Sequence, residues 1–249
     1  MREKFRRGMA RTMNAVERIF FPPRCVICDE LLEPGQKGIH PACEKYLLPV
    51  KGPACMHCGR PVAAEYIEFC FDCSRNGKRD SFFRQGKSCF LYQGEIKTSM
   101  YRFKYSNRRE YADYFAEKAL QEYGSWLQKI KPDVIFPVPM YGPKKRRRGY
   151  NQAEVFAKAL SERTGIQMSA NSMFRVKDTT PQKLLNDTER KNNLKNAFQT
   201  SKNIVKYNKV LLVDDIYTTG STAEAVSECL SRNGITDIYF MSICIGKGN

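Results

Sequence analysis

Nowhere in these 249 residues is there an apolar run long enough to cross a bilayer. The longest, Val134 to Met140, is interrupted by two prolines, whereas a spanning helix needs about 20 apolar residues. The amino-terminal stretch is basic but has no apolar core leading to a small-residue cleavage site, so a secretory signal is not expected. Acid is also scarce: 26 Asp and Glu stand against 42 Lys and Arg, a net charge of +16. That imbalance favours a polyanionic partner, whether nucleic acid, acidic membrane or phosphorylated ligand. A cytoplasmic location is expected. Ten cysteines in that compartment read as metal ligands rather than disulfides.

Three regions emerge along the chain. Residues 1–23 form a basic amphipathic stretch in which Phe5, Met9, Met13, Val16 and Phe20 recur at helical spacing and Pro22-Pro23 closes it. Two roles stay open for it: a helix docked on its own protein, or a peripheral contact with a partner or the inner face of the membrane. Residues 24–80 are rich in cysteine, glycine and proline, with too little apolar mass for a core of their own, and are expected to need metal to fold. Residues 81–249 alternate strand and helix patterns, which predicts an α/β fold with a mostly parallel sheet.

The cysteine spacing is the signature of two zinc ribbons. Cys55-x-x-Cys58 and Cys70-x-x-Cys73 each supply one side of a tetrahedral Zn²⁺ site, with Gly59 permitting the turn after the first pair. Upstream, Cys25-x-x-Cys28 pairs with His40-x-x-Cys43; a solvated His40, with the three cysteines in a different site, is the alternative. Four protein ligands leave no open position, so both sites read as structural. His57, inside a knuckle, is expected to face solvent. Cys89, Cys229 and Cys244 read as small core residues.

In the α/β region, strands are expected at Lys87–Tyr92, Asp133–Pro139, Lys209–Val213 and Asp237–Ile245. Helices are expected along the stripe Tyr111 to Ile130, over Asn151–Thr164 and over Ala223–Arg232. The stretch Val210 to Thr222, V-L-L-V-D-D-I-Y-T-T-G-S-T, is the most informative. A buried strand runs into Asp214 and Asp215, and a hydroxyl-rich glycine turn then opens a helix. Backbone N–H groups at a helix N-terminus suit phosphate. Ionised carboxylates accept hydrogen bonds and donate none, so the acid pair suits hydroxyls. A ribose 5-phosphate offers both.

This stretch resembles the PRPP-binding motif of type I phosphoribosyltransferases. The resemblance implies that Asp214 and Asp215 bind the ribose hydroxyls, that Thr218, Thr219, Gly220, Ser221 and Thr222 wrap the 5-phosphate, and that Mg²⁺ accompanies PRPP. Five consecutive cations, Lys144, Lys145, Arg146, Arg147 and Arg148, follow the second strand and suit pyrophosphate or nucleic acid. Tyr101-Arg-Phe-Lys-Tyr-Ser-Asn-Arg-Arg109 interleaves rings and cations as single-strand binders do. Its period-two aromatics also fit an ordinary edge strand. Arg108 and Arg109 are its nucleic-acid candidates.

P-V-P, R-G-Y-N-Q, T-P-Q, E-R and V-D-D-I-Y-T-T-G-S-T, in that order behind a double zinc ribbon, resemble the ComF/ComFC competence family from Cys25 to about Ile245. The resemblance implies handling of incoming single-stranded DNA in natural transformation, beside a ComFA-like helicase. It places Lys104 near the pyrophosphate; Arg148, Asn151 and Gln152 are candidates by their position after a strand end, and Lys104 and Arg148 are the catalytic candidates. Thr180, Gln182, Arg190 and Asn193 would belong to a hood that closes over PRPP. Thr218 stands where purine-salvage enzymes carry a further acid, which disfavours a base that must lose a proton. A metabolic phosphoribosyltransferase with an amine or other acceptor is the rival reading.

Overall fold

The computed structural model describes residues 22–75, 81–177, 194, 196–201 and 207–248. The amphipathic stretch before Pro22 and the hood residues Thr180, Gln182, Arg190 and Asn193 lie outside them.

Among the described residues there are six strands and six α-helices: α1 (Phe71–Arg75), β1 (Gln85–Leu91), α2 (Ile96–Tyr105), α3 (Tyr111–Ile130), β2 (Val134–Pro137), α4 (Gly142–Arg148), α5 (Gln152–Thr164), β3 (Met173–Arg175), β4 (Phe198–Thr200), β5 (Lys209–Tyr217), α6 (Ser221–Ser231) and β6 (Asp237–Ile245). Among the described residues the main sheet has the order β1-β6-β5-β2, every pair parallel. β3 and β4 make a separate antiparallel pair. The expected α/β domain with a mostly parallel sheet, behind a zinc-ribbon module, is the one observed.

β5 lies in the middle of the sheet, and Val210, Leu211, Leu212 and Val213 are all fully buried, as a strand covered on both faces requires. Because side chains alternate across a strand, Leu211 and Val213 face one core and Val210 and Leu212 the other. The first core is completed by α2, α3 and α5 through Met100, Phe103, Phe115, Phe156 and Leu160. The second is completed by α6 through Val226 and Leu230.

Each ribbon takes its own face of the sheet. Cys25 and Cys43 belong to the first core, and Cys55, Cys58, Cys70 and Cys73 to the second. The link between them passes along the edge of β1, where Val50 N–H bonds Cys89 O and Leu91 N–H bonds Leu48 O. That pairing covers the otherwise open backbone of an edge strand.

Three local expectations need correction. Tyr101 to Tyr105 is helix, within α2, and not an edge strand. Ile96, Met100 and Phe103, at positions i, i+4 and i+7, are fully buried and fix the helical period. β5 continues to Tyr217 instead of ending at the acids, because β6 supplies ladder partners as far as Ile245. His57 is 3% exposed and stacked on Phe83 with ring centroids 4.2 Å apart. The outer side of its knuckle meets the sheet rather than water.

Candidate functional site

β2 has four residues and its ladder with β5 stops at Pro137–Val213. β5 runs on for four residues with a neighbour on the β6 side. Asp214 and Asp215 therefore flank an opening between two strand ends. Beyond β2 and the short exposed α4, α5 packs in the first core, whereas the helix following β5, α6, packs in the second. Adjacent strands that send their helices to opposite faces create the crevice where ligands of open α/β sheets bind.

The β5 side of that crevice carries the acids and the loop. Gly220 caps α6 with φ 80°, a left-handed conformation that suits glycine. Thr219 Oγ1 and Ser221 Oγ lie 2.9 Å apart, and Asp215 N–H bonds Asp214 Oδ1 at 2.8 Å. Lys104, at the end of α2, places Nζ 2.8 Å from Asp215 Oδ2. Burial works to lower the Lys104 ammonium pKa, but the Asp215 charge and hydrogen bond outweigh it, and the net shift is upward. The Asp214 carboxyl is pushed up to about 7, by burial first and by the neighbouring Asp215 charge second.

The β2 side supplies the cations. Arg148 donates to Gln152 Oε1 at 2.8 Å and to the Tyr105 hydroxyl at 3.1 Å, and its guanidinium lies 4.7 Å from the Tyr105 ring centre. Gln152 in turn donates to Phe103 O. Lys104 and Arg148, far apart in sequence, are thus held in one network around the end of α2. Asn151 is committed to structure: it caps α5 through Ala153 N–H and donates to Val138 O at 2.9 Å.

The other cationic candidates divide in two. Arg108 grips Asp29 with both nitrogens, at 2.6 and 2.8 Å, and Tyr111 donates to the same carboxylate at 2.7 Å. With Arg102 donating to Ile27 O, this pair clasps the first knuckle to the α/β domain. Lys145 is held by Glu154 at 2.6 Å. Arg109, Arg146 and Arg147 are exposed, with Arg109 lying over the Tyr150 ring at 4.6 Å. Tyr101 and Tyr105 are also exposed and pair with each other at 4.9 Å. A strip of rings and guanidinium groups therefore runs from Tyr101 through Tyr105 and Arg148 to Arg109.

The metal candidates converge as their spacing requires. The ligand atoms of Cys25, Cys28, His40 and Cys43 lie within 4.8 Å of one another, as do those of Cys55, Cys58, Cys70 and Cys73. Tetrahedral Zn–S bonds of about 2.3 Å imply ligand separations near 3.8 Å; Cys58 and Cys70 Sγ are 3.6 Å apart. His40 Nδ1 is 3.3 Å from Cys28 Sγ, and its Nε2 is 3.0 Å from Leu31 O. A proton on Nε2 donated to that carbonyl leaves Nδ1 as the lone pair facing the thiols, the outer-shell arrangement of ligating histidines. Both donor sets fit structural zinc.

One element escaped sequence reasoning. Arg60, two residues after Cys58, donates to Thr218 O at 2.7 Å and to Gly246 O at 3.0 Å. No periodicity or spacing signals a bond across that distance in sequence.

Fold and site together define a protein with a structural double zinc ribbon and a parallel α/β domain whose crevice opens on an acid pair. Residues 16–74 match the double zinc ribbon domain. Competence protein F of Haemophilus influenzae is 33% identical over 224 residues, covering 88% of this chain and 95% of that protein. Competence protein ComFC of Bacillus subtilis is 29% identical over 231 residues, covering 84% and 89%. DNA utilization protein YhgH of Escherichia coli K12 is 28% identical over 228 residues, covering 90% and 97%. The chain belongs to the competence protein F family.

Proposed function

We propose that this protein binds PRPP in the crevice and single-stranded DNA on the adjoining strip, and acts in DNA uptake during natural transformation beside a ComFA-like helicase. The supporting observation is the single network of Lys104, Tyr105, Arg148 and Gln152, which joins the acid pair to the exposed rings. The named roles of its relatives, two in competence and one in DNA utilization, agree with the DNA half.

In this reading Asp214 and Asp215 accept hydrogen bonds from the ribose hydroxyls, and the loop Thr218 to Thr222 turns its amides to the 5-phosphate. Lys104 and Arg148 meet the pyrophosphate, which brings Mg²⁺ with it. Bases stack on Tyr101 and Tyr105, while Arg109, Lys144, Arg146 and Arg147 meet phosphates. Arg108 and Lys145, tied to Asp29 and Glu154, reinforce the field of this face rather than reaching out from it. Residues 1–23 offer a peripheral membrane contact. If PRPP is turned over with an amine or other acceptor, acceptor-dependent pyrophosphate release will show it.

Replacing both Tyr101 and Tyr105 with alanine is expected to weaken oligonucleotide binding by at least tenfold, since base–ring stacking contributes about 1–3 kcal/mol per base. PRPP affinity should hold in Tyr101→Ala alone and fall modestly in the double variant, which takes the Tyr105 hydroxyl and ring from Arg148. Fluorescence anisotropy and calorimetry on the same preparation check both, and undiminished oligonucleotide binding contradicts the assignment.

The crevice should also respond to pH. Hydroxyl recognition needs ionised carboxylates, and the Asp214 pKa is raised to about 7. Ligand affinity should therefore grow as pH rises through 7 and fall below it. Without ligand the sign reverses. A carboxyl whose pKa is higher in the folded chain contributes stability at low pH, and that contribution is lost as pH climbs from about 4 to 7. Comparing the chain with Asp214→Asn between pH 6 and 8 cancels titration of the ligand's own phosphates. Identical pH profiles would contradict the role of Asp214.

A further inference from the structure

We infer that Arg60 is a positioning residue through which the second zinc ribbon sets the geometry of the phosphate loop. This rests on the PRPP reading of that loop and deepens it. Arg60 is 4% exposed, and its guanidinium joins three parts of the chain. Nε donates to Gly246 O at 3.0 Å and one terminal nitrogen to Thr218 O at 2.7 Å. The other terminal nitrogen pairs with Asp72 and lies 3.8 Å from Cys70 Sγ. The carboxyl-terminal strand end, the first residue of the loop and the metal knuckle therefore meet at one planar cation. A fork of fixed donors can hold three acceptors in this way, and an ammonium cannot.

The consequence for the loop follows from peptide geometry. In a trans peptide the carbonyl and the next N–H point in opposite directions. With Thr218 O drawn toward the ribbon, the Thr219 N–H is turned away from it. The following helix is held beside the ribbon: His57 approaches Glu224 without a hydrogen bond, and the residues just after the ribbon bond it. His57 Nε2 lies 3.4 Å from Glu224 Oε1 in the first turn of α6, and Ser81 Oγ donates to the same carboxylate at 2.6 Å. Phe82 N–H reaches its other oxygen at 3.3 Å. The ribbon thus holds the start of the segment offered to a 5-phosphate at Thr218 O and packs close to the helix that follows it. Lys104 and Arg148 owe nothing to these contacts.

That asymmetry makes the test selective. Full-length, zinc-loaded wild type, Arg60→Lys and Arg60→Met are titrated calorimetrically with ribose 5-phosphate and, separately, with Mg²⁺-pyrophosphate. Zinc content and thermal stability are measured alongside. Ribose 5-phosphate affinity is expected to fall about tenfold in Arg60→Met and to recover only partly in Arg60→Lys. Mg²⁺-pyrophosphate affinity and zinc content should stay at wild-type values. Arg60→Lys, which keeps a cation beside Asp72 and the thiolates, carries the comparison if Arg60→Met sheds zinc. Equal ribose 5-phosphate affinity in wild type and Arg60→Lys overturns the inference, as does a parallel loss of both ligands. A wild type that binds no ribose 5-phosphate overturns the PRPP reading itself and the inference with it.

Discussion

Replacing Cys55 with serine is expected to halve the zinc content, from about two per chain to about one, and to unfold the second ribbon. The apparent binding free energy of structural zinc in small ribbons is about 10–16 kcal/mol, far above the stability such a loop-rich segment can gain from its own apolar contacts. The effect should spread beyond the ribbon. Cys55, Cys58, Cys70 and Cys73 pack in the same core as Val134, Phe136 and Phe240, so the sheet loses cover on one face and its melting temperature should drop. The matching change at Cys25 removes the first zinc and strips the Asp29–Arg108–Tyr111 clasp of its support. His40→Ala should act like a cysteine substitution if its Nδ1 is a ligand, and a retained second zinc would place it outside the site. Metal analysis with circular dichroism checks each variant. Fully folded wild-type protein with no zinc would contradict the assignment.

Loss of the acid pair should have the next largest effect. Asp214→Ala with Asp215→Ala removes two charge-assisted acceptors worth about 1.5–3 kcal/mol each, so PRPP should bind at least tenfold more weakly. The double variant also leaves Lys104 without its 2.8 Å partner in a half-buried position, where an uncompensated ammonium is costly. Asp214→Asn with Asp215→Asn keeps the shape and limits that side effect. Calorimetry with and without Mg²⁺ reads the result. Equal PRPP affinity in the wild type and both double variants would remove the ribose from this crevice.

Much of this arrangement was legible because its signals are local. The knuckle spacings placed all eight metal candidates in two clusters, and the run Val210 to Val213 marked a strand buried on both sides. Asn151 before a periodic helix and Gly165 after it bounded α5, with Asn151 capping and Gly165 at φ 75°. Errors arose where a short pattern competed with a longer one. Three aromatics at period two suggested a strand over Tyr101 to Tyr105, while Ile96, Met100 and Phe103 already spelled a helix. Tyr101 and Tyr105 then fall one turn apart, with ring centroids 4.9 Å apart and planes inclined by 44°. The expected end of β5 falls short at the acids because polar residues do not stop a strand; neighbouring backbone decides that, and β6 provides it through Tyr217. His57 and Arg60 were beyond reach for another reason. Their partners, Glu224 and Thr218, lie more than 150 residues away, and only the packing of the second ribbon on the sheet brings them together.

The measurement that bears most directly on a protein serving both DNA and PRPP is an anisotropy titration of a labelled single strand at increasing salt, with and without saturating Mg²⁺-PRPP. If about four phosphates are neutralised, as Arg109, Lys144, Arg146 and Arg147 allow, log affinity should fall against log salt with a slope near −3. A duplex of the same sequence should bind more weakly, because its bases are already stacked and unavailable to Tyr101 and Tyr105. Binding should persist when PRPP fills the crevice, since the exposed strip lies beside the acid pair and not within it. No binding at low salt, a salt-independent affinity, or complete displacement of DNA by PRPP would contradict this account and favour a metabolic phosphoribosyltransferase.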